Sequence, residues 1–412
     1  MNRVTYHLGV RIRPHPHSIH IRQLSTSRCY SMSSSRSNSI SPPGSNDRPE
    51  PPRDSQTLKL ADGRLLGFAE YGSPTGKPVF FFHGFPSSRL EAEGILKLVP
   101  RKDLRIIAPE RPGFGLSTFN PGHRVTDWPD DVRALADHLG LNRFTILGGS
   151  GGAPYALACA RSLPAEMISA VGLLAPAAPW KEAGIAGVPL SSRIVALMGY
   201  YWPASLRAIS TGMIGLCRWL ATTRFVTRRI DMWLETMRAK EGPHPESKST
   251  PSSTSASITS PSPTSSPPTT GAKEATAAAT DRSPIPEARA ALFRVLFEPF
   301  RQGTAPTVRE SQLLTWEGWG FPLHEVRCDN DKNNNKIIIY HGVEDGQSPI
   351  RMARYLAAQL SHCELREFEG ETHFTLAAKY LGALLGELVP VDRDMEKGKG
   401  KGDVDEEGNR AG

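Results

Sequence analysis

The sequence from Phe144 to Ala158, FTILGGSGGAPYALA, decides the fold class. The apolar run Phe144 to Leu147 is typical of a buried strand, and the small residues after Gly152 are typical of a helix. Between them Ser150 has two glycines on each side. A strand, a tight glycine-flanked turn with one serine and a helix form a nucleophile elbow, whose strained serine tolerates only small neighbours. We therefore expect the Ser150 hydroxyl to project above the end of a strand.

Apolar strands alternate with helices on both sides of this turn. The expected strands are Leu58–Leu60, Leu65–Tyr71, Val79–Phe82, Arg105–Ala108, Phe144–Leu147, Ala170–Leu174, Lys336–Tyr340 and Glu364–Phe368. The expected helices include Asp127–Leu139, Ala288–Phe300, Pro349–Leu360 and His373–Leu388. Strands that are apolar on both faces and alternate with helices predict an α/β fold, in which helices cover both faces of a mostly parallel sheet.

The alternation stops at about Pro176 and returns near residue 336, which predicts an inserted helical domain. We expect residues 57–177 and 321–389 to form the two parts of one α/β core, and residues 178–320 to form a helical cap. Within the cap, residues 242–286 are rich in Ser, Thr and Pro and are expected to be disordered. The tail, residues 390–412, is expected to be mobile.

The net charge of +7 is concentrated at the N-terminus. Residues 1–46 contain six arginines and no acid, so the rest of the chain is near neutral. No basic stripe with interleaved aromatic residues remains, which argues against a nucleic-acid partner. The composition of residues 1–56 favours a mitochondrial targeting segment followed by a linker; the alternatives are an inert tail and a cytoplasmic location. No apolar run is long enough for a transmembrane segment.

Five cysteines are scattered along the chain without metal-ligand or disulfide-framework spacing, so we expect no metal site. The sequence makes no prediction of oligomeric state.

Five motifs occur in an order that resembles the α/β-hydrolase family. They are His83-Gly84-Phe85-Pro86, Glu110-Arg111-Pro112-Gly113-Phe114-Gly115-Leu116-Ser117, the turn at Ser150, His341-Gly342-Val343-Glu344-Asp345 and Gly370-Glu371-Thr372-His373-Phe374. The resemblance covers roughly residues 57–177 and 320–388. It implies an α/β-hydrolase fold with an inserted helical lid and an esterase-like serine hydrolase activity.

A serine hydroxyl at neutral pH needs a base to remove its proton, and histidine titrates nearest that pH. A carboxylate then holds the imidazole in one tautomer and stabilises its transient positive charge. In the family the chain order is serine, acid, histidine, which Ser150, Asp345 and His373 meet. Glu344 is the alternative acid. The competing histidines, which lie before the serine or away from the expected position, are His83, His324, His341 and His362.

The resemblance also implies an oxyanion hole made of the backbone N–H groups of Phe85 and Gly151. Arg111 is expected to brace neighbouring loops. An aromatic cluster is expected in or near the cap, either as cap core or as an apolar binding cleft. Its members are Trp180, Tyr200, Tyr201, Trp202, Trp219, Trp233, Trp316 and Trp319.

The leading hypothesis is a serine hydrolase that cleaves a carboxylic ester of a small-molecule acyl substrate, with no cofactor. The alternatives are acyl transfer or cofactor-free peroxidation by the same three residues, and a non-catalytic binding protein with this fold. Epoxide hydrolases and haloalkane dehalogenases resemble the same motifs, but they need an aspartate where this chain has Ser150.

Overall fold

The computed structural model describes residues 53–240, 284–326 and 337–391. The interpretations of residues 1–52, of most of the 242–286 insert and of residues 392–412 lie outside this described part, and they stay predictions. None of the helices in the described ranges has the length and hydropathy that a membrane-spanning helix needs.

Eight strands form one sheet in the order β1-β2-β4-β3-β5-β6-β7-β8. The strands are β1 (Gln56–Lys59), β2 (Leu65–Gly72), β3 (Lys77–Phe82), β4 (Leu104–Pro109), β5 (Phe144–Gly149), β6 (Ile168–Leu174), β7 (Ile337–Gly342) and β8 (Cys363–Phe368). The pairings of β2 with β1 and β4 are antiparallel. The other five pairings are parallel. The predicted α/β class with a mostly parallel sheet is confirmed.

Eleven α-helices occupy the described ranges. They are α1 (Glu93–Leu98), α2 (Trp128–His138), α3 (Ala153–Ser162), α4 (Trp180–Ala183), α5 (Leu190–Tyr201), α6 (Pro203–Thr222), α7 (Arg224–Lys240), α8 (Ile285–Phe297), α9 (Ala305–Thr315), α10 (Ile350–Gln359) and α11 (His373–Leu388). Helices α4–α9 fall between β6 and β7, where the sequence predicts the cap.

The sheet is buried on both faces because its central strands are mainly apolar on both sides. In β3 the rings of Phe80 and Phe82 join a cluster that includes side chains of α2, α3 and α10. The alternate residues Val79 and Phe81 join a second cluster with side chains of α1 and α11. Successive side chains of a strand point to opposite faces, so one apolar run supplies both layers of core.

The predicted aromatic cluster of the cap is only partly present, and this expectation was wrong for most of its members. Trp180 and Trp319 are buried, and the rings of Trp180 and Trp316 are 6.0 Å apart. The other five side chains are exposed, so they line neither a cap core nor an enclosed cleft; they are Tyr200, Tyr201, Trp202, Trp219 and Trp233. Apolar spacing alone does not tell which side of a helix meets the rest of the protein.

A buried histidine, His123, makes the free energy of unfolding depend on pH. The ring of His123 stacks on Tyr155 at a centroid distance of 5.9 Å. Burial, opposed in part by the charge of Asp127, lowers the pKa of His123 from 6.5 to about 4. Between these two pH values the unfolded chain binds a proton at this position that the folded chain does not. The free energy of unfolding therefore loses a contribution from His123 as the pH falls through this window.

We expect His123→Phe, which keeps the stacked ring, to remove that loss. The stability of the variant relative to the parent should rise by up to about 3 kcal/mol between pH 6.5 and pH 4, as measured by urea unfolding across the pH range. His138→Gln, at an exposed histidine of α2, is the matched control. A relative stability of His123→Phe that stays constant with pH would contradict the assignment.

Candidate active site

Ser150 lies in a strained turn between β5 and α3. Its φ angle is +50°, in a region that residues other than glycine seldom occupy, and a single 3₁₀ turn, Ser150–Gly152, separates strand from helix. A Cβ atom at Gly152 would lie 2.1 Å from the carbonyl oxygen of Phe82, and one at Gly148 would lie 2.9 Å from Cβ of Ala156. Both glycines are therefore required by close backbone approach, and the predicted strained geometry is confirmed.

His373 and Asp345 form a hydrogen-bonded pair at the same edge of the sheet. His373 Nδ1 lies 2.7 Å from Asp345 Oδ2. Asp345 follows the carboxyl end of β7, and His373 opens α11 after β8. Since a carboxylate only accepts hydrogen bonds, the Nδ1 proton is on the histidine when the carboxylate is ionised, which leaves Nε2 of the neutral ring free to accept a proton.

The turn after β7 holds the Asp345 carboxylate in place. Its Oδ1 accepts hydrogen bonds from the amides of Gln347 and Ser348, both at 2.8 Å. Burial acts to raise the pKa of Asp345, but the hydrogen bond and charge of His373 and the Ser348 amide outweigh it and hold the pKa below its ordinary value. The carboxylate is thus ionised at neutral pH. Glu344 is exposed, and of the two candidate acids it is Asp345 that makes the hydrogen bond with His373.

His341 lies behind this pair. It is fully buried at the end of β7, and its Nε2 lies 2.7 Å from the carbonyl oxygen of Ser348 and 3.6 Å from Asp345 Oδ2. Burial lowers the pKa of His341 despite the opposing charge of Asp345, so the ring is neutral with its proton on Nε2. His341, one of the competing histidines in the sequence, thus supports the turn that carries Asp345, a contact that the sequence does not reveal.

Ser150 shares the sheet edge with the pair because β5, β7 and β8 are parallel strands that end there. In the described part of the chain, no hydrogen bond joins Ser150 Oγ to His373. Such bonds in ligand-free sites are often long and shorten when substrate binds.

The two amides expected to form an oxyanion hole lie beside Ser150. The backbone nitrogen of Phe85 lies 3.4 Å from the position that a Cβ atom on Gly151 would occupy, so the two backbones are in contact. Gly151 follows the serine at the amino end of the elbow helix, where amides point toward the turn. The structure therefore brings both predicted donors to one place.

Glu91 is a second acidic side chain at this site, and the sequence analysis missed it. Its Oε2 accepts the Gly84 amide at 2.9 Å. A Cβ atom at Gly84 would lie 3.6 Å from that oxygen and 3.7 Å from Cβ of Ser150, which locates the carboxyl group near the serine. Burial raises the pKa of Glu91 against the opposing hydrogen bonds from Ser87 and Gly84. Glu91 thus fixes the loop that carries Phe85.

Arg111 braces the same loop, as the sequence predicts. Its guanidinium is fully buried and donates to the carbonyl oxygens of His83 at 2.6 Å and Gly84 at 2.8 Å. Its Nε lies 2.7 Å from Oε1 of Glu310, a buried residue of α9. Glu310 in turn accepts the hydroxyl of Tyr155, on α3, at 2.7 Å. One cation therefore connects the cap, the Phe85 loop and the helix behind Ser150.

A second buried arginine repeats this arrangement. Arg89 Nη1 lies 2.7 Å from Oε1 of Glu110 and 2.5 Å from Oε1 of Glu298, which follows α8. Both arginines belong to loops of the core, and each pairs with a glutamate of the cap. The second part of the cap, from α8 to α9, is thus held to the core by ion pairs as well as by apolar packing.

The remaining candidate histidines do not contribute to the pair. His83 is fully buried beside Arg111, and its Nδ1 lies 2.9 Å from the carbonyl oxygen of Gly84. Burial, together with the Arg111 charge, lowers its pKa well below the ordinary value. His324 lies in a 3₁₀ turn after the cap, and His362 lies before β8. His83 therefore supports the loop that carries Phe85.

Comparison with known proteins points to the same fold. A family model described as the alpha/beta hydrolase fold matches residues 77–193. The chain is 37% identical over 116 residues to a putative proline iminopeptidase of Mycoplasma pneumoniae, which is 27% of this chain and 37% of that protein. It is 31% identical over 137 residues to a non-heme haloperoxidase of Rhodococcus erythropolis, 32% of this chain and 49% of that protein. These matches span between a third and a half of the curated relatives.

A solved esterase of Exiguobacterium antarcticum is also similar, with a TM-score of 0.48 and 15% identity over 81% of this chain and 99% of that one. The family match contains the Phe85 loop and the Ser150 turn and ends before Asp345 and His373.

We expect Arg111→Met to destabilise the protein strongly, because Glu310 and two loop carbonyls would be left buried without their cation. The free energy of unfolding should fall by about 3–5 kcal/mol in urea unfolding. Arg124→Met is the control, since Arg124 pairs with Asp127 on the exposed surface and should cost no more than about 1 kcal/mol. Equal losses in the two variants would mean that the buried network is not stabilising.

Proposed function

Because this chain belongs to the α/β-hydrolase fold family, we propose that it is a serine hydrolase that cleaves carboxylic esters through an acyl-enzyme on Ser150. The observation that carries the proposal is the 2.7 Å hydrogen bond between His373 and a buried, ionised Asp345 at the sheet edge where the strained Ser150 lies. An ionised carboxylate that orients a neutral imidazole is what a serine nucleophile requires.

In the first half-reaction Ser150 Oγ attacks the ester carbonyl carbon while His373 Nε2 takes the hydroxyl proton. Asp345 stabilises the imidazolium that forms, and the amides of Phe85 and Gly151 donate hydrogen bonds to the oxyanion. The tetrahedral intermediate then collapses. The alcohol leaves with the proton from His373, and the acyl group remains on Ser150.

In the second half-reaction water attacks the acyl-enzyme and gives up a proton to His373. Collapse of the second intermediate releases the carboxylic acid and returns the proton to Ser150. Glu91 and Arg111 act as positioning residues in both halves, because they hold the loop of Phe85 by its backbone.

The relatives named as haloperoxidases support a second candidate, in which hydrogen peroxide replaces water in the second half-reaction. Attack by the peroxide oxygen on the acyl-enzyme would release a peracid and regenerate Ser150. The same nucleophile, base and oxyanion donors serve both outcomes, so peracid formation from an ester and hydrogen peroxide separates this candidate from hydrolysis alone.

We expect an organophosphate probe to label the parent protein on Ser150. Ser150 lies in a strained turn at the same sheet edge as His373, so labelling should be stoichiometric by intact-protein mass spectrometry and absent in Ser150→Ala. Ser87→Ala, at another serine of the same site, is the control and should label normally. A folded parent that never reacts would argue against nucleophilic chemistry and in favour of a binding protein.

We expect Asp345→Asn to lower kcat for a short p-nitrophenyl ester by about 10⁴-fold, because an amide favours the wrong imidazole tautomer and does not stabilise the imidazolium. Glu344→Gln removes the neighbouring exposed carboxylate and should leave kcat within about twofold of the parent. A large loss in Glu344→Gln with little in Asp345→Asn would assign the acid to Glu344 instead.

A further inference from the structure

The outer helices of the cap expose their apolar side chains. In α6 only Leu206 is buried, and no described side chain of α7 or α8 is buried. Packing of an apolar face supplies most of the stability of a helix in a protein. Clustered exposed apolar side chains on a soluble domain mark a binding surface.

Helix α6 has its apolar face turned outward. Ile209, Met213, Leu216 and Leu220 follow one another at intervals of four, three and four residues, which puts them on one face. Their exposed fractions are 57%, 56%, 54% and 38%. An amphipathic helix ordinarily packs such an apolar stripe against the core of its domain. We call these four side chains the stripe of α6.

The opposite face of α6 makes polar contacts with the cap. The hydroxyls of Thr211 and Thr304 lie 2.8 Å apart, and Arg218 Nη2 donates to the carbonyl oxygen of Phe300 at 3.1 Å. Thr304 Oγ1 also donates to the carbonyl oxygen of Arg207 at 3.1 Å. These hydrogen bonds therefore come from the side of α6 opposite the four apolar side chains, which are exposed to solvent.

The neighbouring helices show the same pattern. Exposed apolar side chains at helical spacing are Leu190, Ile194, Leu197 and Tyr201 in α5, and Phe225, Met232, Trp233 and Met237 in α7. Trp202 and Trp219 add two exposed indoles next to and within α6. We call the exposed apolar side chains of α5, α6 and α7 the outer cap face.

The charge of this segment is mostly positive. Between Leu190 and Lys240 there are two acidic residues, Asp231, which is paired with Arg289, and Glu235. Against them stand one lysine and seven arginines: Arg193, Arg207, Arg218, Arg224, Arg228, Arg229 and Arg238. Arg228 and Arg229 are exposed and stand three or four residues from Phe225 and Met232, on the same side of α7. The occupant of this face must therefore be apolar and anionic together.

The chain's other long segments lack one half of that chemistry. Residues 241–283, which connect α7 to α8, contain one large apolar side chain, Ile258, and residues 392–412 have seven acidic residues but only Met395 and Val404 as larger apolar side chains. Residues 1–46 are cationic and contain no acid, so they would repel the arginines. A second copy docked face to face would oppose arginine with arginine.

We propose that the outer cap face binds the surface of bilayers that contain anionic phospholipids. Amphipathic helices with arginines beside an apolar face rich in Trp, Phe and Leu lie in the interface, with the apolar side chains below the headgroups. Indoles favour that interface, and each arginine near an anionic surface adds attraction. This inference concerns location and does not depend on the ester chemistry proposed above.

The test is co-sedimentation of the full chain with vesicles of phosphatidylcholine, with and without phosphatidylglycerol. The parent should bind the vesicles that contain phosphatidylglycerol, and binding should weaken as salt is added. The variant Met213→Glu with Leu216→Glu should bind these vesicles at least about tenfold more weakly, because two inserted side chains are lost.

The matched control is Ala208→Glu with Thr222→Glu, at exposed positions of α6 away from the stripe. This control adds the same two negative charges as Met213→Glu with Leu216→Glu and also keeps the basic N-terminal segment. Because it leaves the apolar side chains of α6 in place, its binding to vesicles should fall less. Equal binding by the two double variants, or none by the parent, would overturn the proposal. So would a parent dimer, seen by light scattering, that becomes monomeric in the stripe variant without either protein binding vesicles.

Discussion

The close approach of Gly152 to the carbonyl of Phe82 is the constraint on which the site depends. At that point the end of β3 and the start of the elbow helix are in backbone contact, with room for hydrogen alone at the glycine Cα. The contact brings the loop of Phe85, which leaves β3, against Gly151, which follows β5. The proposed nucleophile and oxyanion donors therefore come from two adjacent strands, and backbone packing sets their positions.

Two buried arginines extend that constraint to the cap. Arg111 holds the carbonyls of the Phe85 loop and pairs with Glu310, and Arg89 joins Glu110 to Glu298. A buried charge without its partner is costly, so a cap that moved away from these contacts would leave ions unpaired in a poorly hydrated interior. The cap residues that contact the core, such as Glu310 and Glu298, therefore help to hold the site in place. The outer helices α6 and α8 bury almost no side chains against the rest of the protein.

The sequence predicts the core well because its strands are apolar on both faces and its turns carry glycine. Helix α11 runs from His373 to Leu388 as expected, since Thr372 caps its amino end through Thr375. Asp345 is distinguished from Glu344 by two amides of its own turn, which spacing does not reveal. Glu91 was missed because no local pattern marks a carboxylate that bonds a glycine amide seven residues earlier.

Prediction fails in the cap for a different physical reason. Helix α9 buries Glu310, Ser311 and Thr315 together with Val308, Leu313 and Leu314, so polar residues interrupt the apolar pattern of its buried side. In α6 the helical spacing of apolar residues is clear, but these residues lie on the face that is exposed to solvent. Periodicity indicates which residues share a side of a helix, and tertiary contacts decide where that side points.

The insertion point of the cap also has a consequence for synthesis. Strand β6 pairs with β7, with Val171 opposite Ile337, although the whole cap lies between these two strands in the sequence. The ribosome therefore delivers Ser150 long before Asp345 and His373, and the edge of β6 has no β7 to pair with until the cap has been made. Under the proposed function, the growing chain holds Ser150 before it holds Asp345 and His373, so ester cleavage by the three residues waits until β7 and α11 have been made.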